Sequence, residues 1–321
     1  MSNPMKKNAT PLLVVVTGPT ASGKSALAMR LAEEFDGAIV NADSMQIYRE
    51  LSILTARPKE ADMARIPHYV YGVRSIVEPC SAALWRDMAL EAINRISDEG
   101  RYVILCGGTG LYIRALVEGI ADIPDVPPHV RASAQSIYAR LGGAEFRSRL
   151  AERDPETAGR LSAGDAQRLI RAWEVMDATG RPISEWHRAS ITRAATFRTF
   201  CIVLEPEREI LYEACDARFM QMIEQGAIEE AGALAGLGLD PNLPGMKVLG
   251  LPELMRYVRG EIDFEAAKAG ARQATRRYAK RQMTWFRHQI APDMRLYAQF
   301  SESLTAIIFA KVRRFLLTRP N

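Results

Sequence analysis

The apolar positions of the chain fall into two rhythms. The run "LLVVV" (12–16) is apolar without a break and stops short of a glycine, the pattern of a short strand buried on both faces. In "SALAMRLAEEF" (25–35), Leu27, Leu31 and Phe35 recur at the spacing of one helical face. "GAIV" (37–40) predicts a second strand, ending just before Asn41, Ala42 and Asp43. "LWRDMALEAINRISDEG" (84–100) predicts a helix with Gly100 as its stop. "YVILCGGTG" (102–110) predicts a third buried strand that runs into a glycine turn, and helix resumes in "LYIRALVEG" (111–119). Strands alternating with helices predict a parallel α/β sheet.

The rhythm changes at "DIPDVPPHV" (122–130), whose prolines and aspartates mark a boundary. From Arg131 to about Arg188 the patterns are helical throughout: 131–141, 144–154 and 164–180, the last closed by Gly180. "FCIVLEP" (200–206) predicts a strand again, so a helical insertion interrupts one sheet. The remainder is mostly helical, with a long helix from about Phe264 to His288 after a Gly/Pro loop from Pro241 to Gly250. A last strand, "MRLYA" (294–298), and a last helix, "LTAIIFAKVRRFLL" (304–317), complete the pattern.

Composition adds bounds rather than detail. The 321 residues are 48% hydrophobic and 25% charged, an ordinary globular balance with room for one large domain or two modest ones. A net charge of +4 is a weak pointer to nucleic acid, so the distribution of charge matters more. Cys80, Cys106, Cys201 and Cys215 form no CxxC pair and no metal-ligand spacing with the histidines. They read as reduced, mostly buried thiols of a cytoplasmic protein. The N-terminus has no signal-peptide core and no apolar run is long enough for a bilayer, so no membrane contact is expected.

The chemistry begins at Gly18-Pro19-Thr20-Ala21-Ser22-Gly23-Lys24-Ser25, which matches GxxxxGK[ST] between a predicted strand and a predicted helix. Such a loop turns backbone N–H groups around phosphate oxygens, with the helix N-terminus adding partial positive charge. Lys24 supplies a point charge and Ser25 can reach Mg²⁺. The expected architecture is therefore α/β: a P-loop NTPase-like parallel sheet flanked by helices, with an all-helical insertion domain. The core is expected at 1–123 and 197–321, and the insertion at 124–196. A phosphate loop does not by itself mean ATP chemistry. The third strand ends in Cys106 and glycines, with no acid to hold metal, which leaves Asp43 as the candidate. A small P-loop kinase, with Asp43 holding metal or orienting a hydroxyl, is one reading; a nucleotide-binding switch is another.

"GPTASGKS", "NADSMQIYRE", "TARP", "IPH", "CGGTGLYIRAL", "DAQRLIRAWEV…TG" and "TRRYAKRQMTWFR" together resemble the tRNA dimethylallyltransferases, in order from Leu13 to about Arg287. There are departures. Leu54 stands in a position where the family has glycine, Tyr69 replaces a histidine, and Leu251 follows Gly250 where a tyrosine is usual. No counterpart of the eukaryotic zinc finger is present, so the resemblance is to the bacterial form.

The resemblance implies transfer of a dimethylallyl group from its pyrophosphate to the N6 amine of the adenosine 3′ of the anticodon in tRNA. Gly18, Thr20, Ala21, Ser22, Gly23, Lys24 and Ser25 would then hold the pyrophosphate, with Mg²⁺ at Ser25. Asp43 would be the general base; helix cap or metal acid are the alternatives for it. Ser44, Met45 and Gln46 would line the flipped base. Thr109 would touch the target nucleotide, or merely satisfy its glycine turn. Arg218 would join Lys24 in stabilising the leaving group, although its position alone suits an exposed charge on an amphipathic helix. Arg131, Gln167, Arg168, Leu169, Ile170, Arg171 and Lys247 would contact the anticodon stem-loop, with solvated basic faces as the alternative. The protein is expected to act as a monomer.

The long C-terminal helix carries a charge pattern of its own. Arg272, Arg276 and Lys280 form one stripe and Arg277 and Arg281 a second, with Tyr278, Trp285 and Phe286 interleaved. The nearby acids Glu261, Asp263 and Glu265 gather at its start, where the helix dipole favours them. With few acids to pair, Arg276, Arg277, Lys280 and Arg281 are expected to bind RNA phosphates.

Overall fold

The structure, a computed structural model, describes residues 10–189 and 196–318. The charged N-terminal stretch lies outside the described residues. In chain order the elements of the first part are β1 (Leu12–Thr17), α1 (Lys24–Phe35), β2 (Gly37–Asn41), α2 (Glu60–Arg65), β3 (His68–Tyr69), α3 (Ala82–Asp98), β4 (Tyr102–Gly107) and α4 (Gly110–Val117). Four helices follow: α5 (Pro128–Arg153), α6 (Pro155–Arg160), α7 (Ala166–Thr179) and α8 (Ile183–Ala189). The last part contains β5 (Arg198–Leu204), α9 (Arg208–Glu224), α10 (Ala227–Gly236), α11 (Leu251–Val258), α12 (Phe264–Gln289), β6 (Met294–Leu296) and α13 (Thr305–Leu317).

The strands form one parallel six-stranded sheet in the order β3-β2-β4-β1-β5-β6. Its central strands are apolar on both faces because helices cover both. Val14 and Val16 of β1, Ile104 of β4 and Ile202 of β5 pack with Leu27 and Leu31 of α1 and Ile308 and Val312 of α13 in one buried cluster. The two-residue strand β3 and the short α2 carry too little pattern to be read from sequence, and neither was expected.

The chain divides into two compact units, 1–115 with 196–321, and 116–195. The division falls inside α4, ahead of the proline-rich stretch. The smaller unit is helical among the described residues, around Phe146, Leu150, Leu169, Trp173 and Val175. Its first helix is broken at Gly142, whose φ of 72° interrupts α5 between the two helical patterns visible in the sequence.

Candidate functional site

The site is built where three strands end. β1 runs into the loop 18–23, and Gly23, at φ 87°, makes the left-handed turn that starts α1. The Thr17 hydroxyl donates to the Gly107 carbonyl at 2.8 Å, tying the ends of β1 and β4. Lys24, 8% exposed, donates from Nζ to the Pro19 carbonyl at 3.2 Å, folded back over the loop. Burial, foremost, pushes its ammonium below the ordinary lysine range; Asp43 opposes that shift and Arg218 adds to it. A buried cation whose hydrogen-bond partner, among the described residues, is a carbonyl is suited to receive an anion.

At the end of β2, Asn41 shapes the next turn. Its Oδ1 accepts the Asp43 N–H at 2.7 Å, while its Nδ2 donates to the carbonyls of Asp43 (2.9 Å) and Val70 (3.0 Å). Asp43 Oδ1 accepts the Met45 N–H at 2.9 Å. The local network thus uses one carboxylate oxygen of Asp43 and sets the orientation of the other. Thr109, after the glycine turn of β4, accepts the Ser44 N–H at 2.9 Å and donates to the Ser44 hydroxyl at 3.2 Å. Gln46 Nε2 donates to the carbonyls of Thr55 (2.9 Å) and Ala56 (3.0 Å).

Arg218 reaches in from α9, with Nη1 donating to Thr20 Oγ1 at 3.2 Å and Nη2 to the Thr55 carbonyl at 3.4 Å. Burial lowers its pKa and the charge of Asp43 works against that. Lys24, Ser25, Asp43, Gln46 and Arg218 all line one cavity of about 1080 Å³. The same wall carries Cys106, whose thiol burial raises to about 11 despite the nearby Lys24, so it stays protonated at neutral pH.

α12 braces the phosphate loop. Gln282, 6% exposed, accepts the Thr20 N–H at 2.9 Å and donates to the Gly108 carbonyl at 2.9 Å. Trp285 lies so close to Gly110 that an added Cβ would stand 2.0 Å from its ring. Tyr278 is pushed above the ordinary phenol range by burial and then by Asp43. From the C-terminal side, Gln299 Nε2 donates to the Ala21 carbonyl at 3.0 Å and the Phe300 N–H to the Ser22 carbonyl at 3.1 Å. The sequence reading passed over Asn41, Gln282 and Gln299. A glutamine beside Ala279, Met283 and Phe286, on the buried stripe of α12, was the available signal for Gln282.

Several expected site residues stand elsewhere. Gly18 and Ser22 shape the phosphate loop but do not line the cavity; Ser22 Oγ is buried without a partner among the described residues. The Thr20 amide already serves Gln282, so this donor is not free for phosphate. Leu169, expected at the RNA surface, is fully buried in the helical unit's core, and Ile170 packs against it, because the apolar face of α7 makes that core. Gln167 and Arg168 are exposed, Arg168 lying 3.5 Å from Asp165. Arg131 and Arg171 both pair with Glu174, a buried carboxylate that needs them, at 3.1 and 2.7 Å. Lys247 is exposed at the end of a short 3-10 turn, Pro244–Lys247.

The long helix is less uniformly basic in effect than its sequence. Arg272 and Arg276 both pair with Asp216 on α9, a side chain 9% exposed. The expectation that few acids pair with this helix is therefore corrected for Arg276, whose partner comes from a distant part of the chain. Arg277, Lys280 and Arg281 are exposed, and none pairs with an acid among the described residues.

Residues 46–289 match the family model "IPP transferase". A tRNA dimethylallyltransferase of Rhodospirillum centenum is 55% identical over 290 residues, 89% of this chain and 92% of that protein. The one from Paramagnetospirillum magneticum is 49% identical over 98% of this chain and all of its own length, 100%. Among solved structures, the tRNA isopentenylpyrophosphate transferase of Bacillus halodurans aligns at a TM-score of 0.66 and 28% identity, covering 95% of this chain and 98% of its own. A eukaryotic dimethylallyltransferase acting on tRNA aligns at a TM-score of 0.81 and 26% identity, over 97% of this chain and 81% of its own. With a matched region that takes in both Arg218 and Gln282, and relatives that align almost end to end, the chain belongs to the IPP transferase family.

Proposed function

We propose that the chain transfers the dimethylallyl group of dimethylallyl pyrophosphate to the N6 amine of the adenosine 3′ of the anticodon in tRNA, releasing pyrophosphate. The observation that carries this reading is the pairing, in one cavity, of an anion cradle (Lys24, Ser25, Arg218) with a carboxylate, Asp43. The reaction breaks the C1–O bond to pyrophosphate and forms a C1–N6 bond. Asp43 takes the proton that the amine loses. Lys24 and Arg218 meet the negative charge that grows on the leaving oxygens. Both are desolvated, which strengthens that interaction relative to water.

Mg²⁺ fits this donor set. The Ser25 hydroxyl, which lines the cavity beside Lys24, is an oxygen donor of the kind this cation takes, and Asp43 is left free to act as the base. Among the described residues no cluster of three or more His, Cys, Asp or Glu could hold a metal, so pyrophosphate and water would complete its shell. When bound, the ion supplies further neutralisation of the leaving group. No helix of the described residues is long and apolar enough to cross a membrane, and the substrates proposed are those of a cytoplasmic enzyme. Ser44, Met45, Gln46 and Thr109 receive the target base in this reading. In this reading tRNA is contacted by Gln167 and Arg168 on the helical unit and, separately, by Lys247, Arg277, Lys280 and Arg281 on the larger one, and the chain acts as a monomer.

The test is direct. Purified protein is incubated with unmodified tRNA and labelled dimethylallyl pyrophosphate, and label is sought in N6-modified adenosine. Label absent from RNA, with phosphate transfer from ATP to a hydroxyl instead, would make the chain a kinase.

A further inference from the structure

Glu230, in the first turn of α10, lies outside the cavity and makes an unusual set of contacts. Its Oε1 accepts the main-chain N–H groups of Ser52 at 2.7 Å and Ile53 at 2.8 Å, and the Ser52 hydroxyl at 3.1 Å. Its Oε2 accepts the N–H of Leu54 at 2.9 Å. Three consecutive amides converging on one carboxylate make an anion-binding concavity, satisfied here from within the protein.

The turn held in this way leads straight into the groups that orient the site. The Thr55 carbonyl accepts both Gln46 Nε2 and Arg218 Nη2, and the Ala56 carbonyl accepts Gln46 Nε2. The Thr55 hydroxyl is tied to the Leu51 carbonyl at 2.8 Å, closing the turn on itself. Arg218 therefore rests on two supports, Thr20 on the phosphate loop and Thr55 on this turn. A shift of the turn moves the second support and rotates the guanidinium fork about the first.

We propose that Glu230 is a positioning residue for Arg218 and Gln46. It fixes the 52–54 turn, and through the Thr55 and Ala56 carbonyls it aims both side chains into the cavity. The inference rests on the prenyl-transfer reading for the roles of those two side chains. A carboxylate is required because each of its oxygens faces only donors. A glutamine amide would turn an N–H₂ group toward one or more of the same N–H groups.

The experiment is a double-mutant cycle in the full-length protein, combining Glu230→Gln with Arg218→Ala. Turnover and KM for each substrate are measured with tRNA and dimethylallyl pyrophosphate. Glu230→Gln is expected to lower kcat ~10- to 100-fold, with the KM for tRNA within about threefold. In the Arg218→Ala background the same change is expected to cost at most a few-fold, because the group that meets the leaving-group charge is gone and only the orientation of Gln46 is left to lose. Equal losses in the two backgrounds overturn the proposal, since a merely structural role predicts additivity. So does a Glu230→Gln enzyme with wild-type kcat. Should Glu230→Gln not fold, Glu230→Asp, whose carboxylate is retained but reaches fewer of the amides, takes its place in the same cycle. A wild type that transfers no prenyl group sinks the functional reading instead. The binding of inorganic pyrophosphate then decides the inference: Glu230→Gln must weaken it about tenfold with Arg218 present and not with Arg218→Ala.

Discussion

Gln282 accepts the main-chain N–H of Thr20, a residue 262 positions away, and through its other side-chain atom holds the carbonyl of Gly108. One amide thus fastens the phosphate loop after β1 to the glycine turn after β4, and both of its polar atoms are used. This is why a signature of the C-terminal helix belongs to a site whose phosphate loop lies near the start of the chain.

Gln282→Leu is expected to destabilise the protein by about 1–3 kcal/mol, because it leaves a part-buried N–H and a buried carbonyl without partners. Denaturant titration measures it. Gln282→Glu keeps the acceptor for Thr20 but sets a carboxylate against the Gly108 carbonyl, and it is expected to be no more stable than the leucine variant.

Asp43→Asn is expected to lower turnover by roughly 10²–10⁴ while leaving the KM values within a few-fold. The amide keeps the shape that receives the Met45 N–H but cannot take the proton of the amine. A single-turnover assay with labelled dimethylallyl pyrophosphate measures it; activity within a few-fold of wild type removes Asp43 as the base.

Lys24 makes the cavity sensitive to alkaline pH. Its folded pKa lies below the ordinary 10.5, chiefly through burial, so the unfolded chain binds the proton more tightly than the free native protein. Below the folded pKa the cost of the buried charge is present in full. As pH rises between the folded value and 10.5 that cost is relieved, and this group contributes increasing stability. Pyrophosphate binding runs the other way, because the anion needs the ammonium. Affinity measured by calorimetry is expected to fall through the same pH window in the wild type, and to lose that dependence in Lys24→Met.

Much of this arrangement was legible in the sequence wherever a local rule suffices. The loop 18–25 has fixed spacing between a buried strand and a helix, so its chemistry and its place between the end of that strand and the start of the helix could be read together. Asp43 could be read as chemical because it follows a buried strand with no apolar role of its own. The rest depends on partners distant in the chain. Asp216 neutralises Arg272 and Arg276 from another helix, and no spacing rule links them. Leu169 sits among polar residues of a signature segment, yet the helical period turns it into the core. Glu230 looks like any surface acid until the 52–54 amides are seen around it.

The ion pairs of α12 sharpen what the helix does for RNA. Arg276 neutralises a nearly buried carboxylate, so Arg276→Ala removes one partner of Asp216 and is expected to cost about 1–3 kcal/mol of stability. Its effect on RNA affinity is then expected to be small, because its charge is already matched. Arg277, Lys280 and Arg281 differ in that they are exposed and form no ion pair among the described residues. Unpaired cations release counterions when they meet phosphates; paired ones exchange one partner for another and gain less. The double variant Lys280→Ala/Arg281→Ala is therefore expected to fold with unchanged stability and to raise the KM for tRNA. It should also flatten the salt dependence of binding by about one slope unit per lost contact. Turnover at saturating tRNA should fall much less. Filter binding across a salt series, set beside a thermal melt of each variant, separates the two classes. Equal salt slopes for wild type and the Lys280/Arg281 variant would turn this face of α12 away from the RNA backbone.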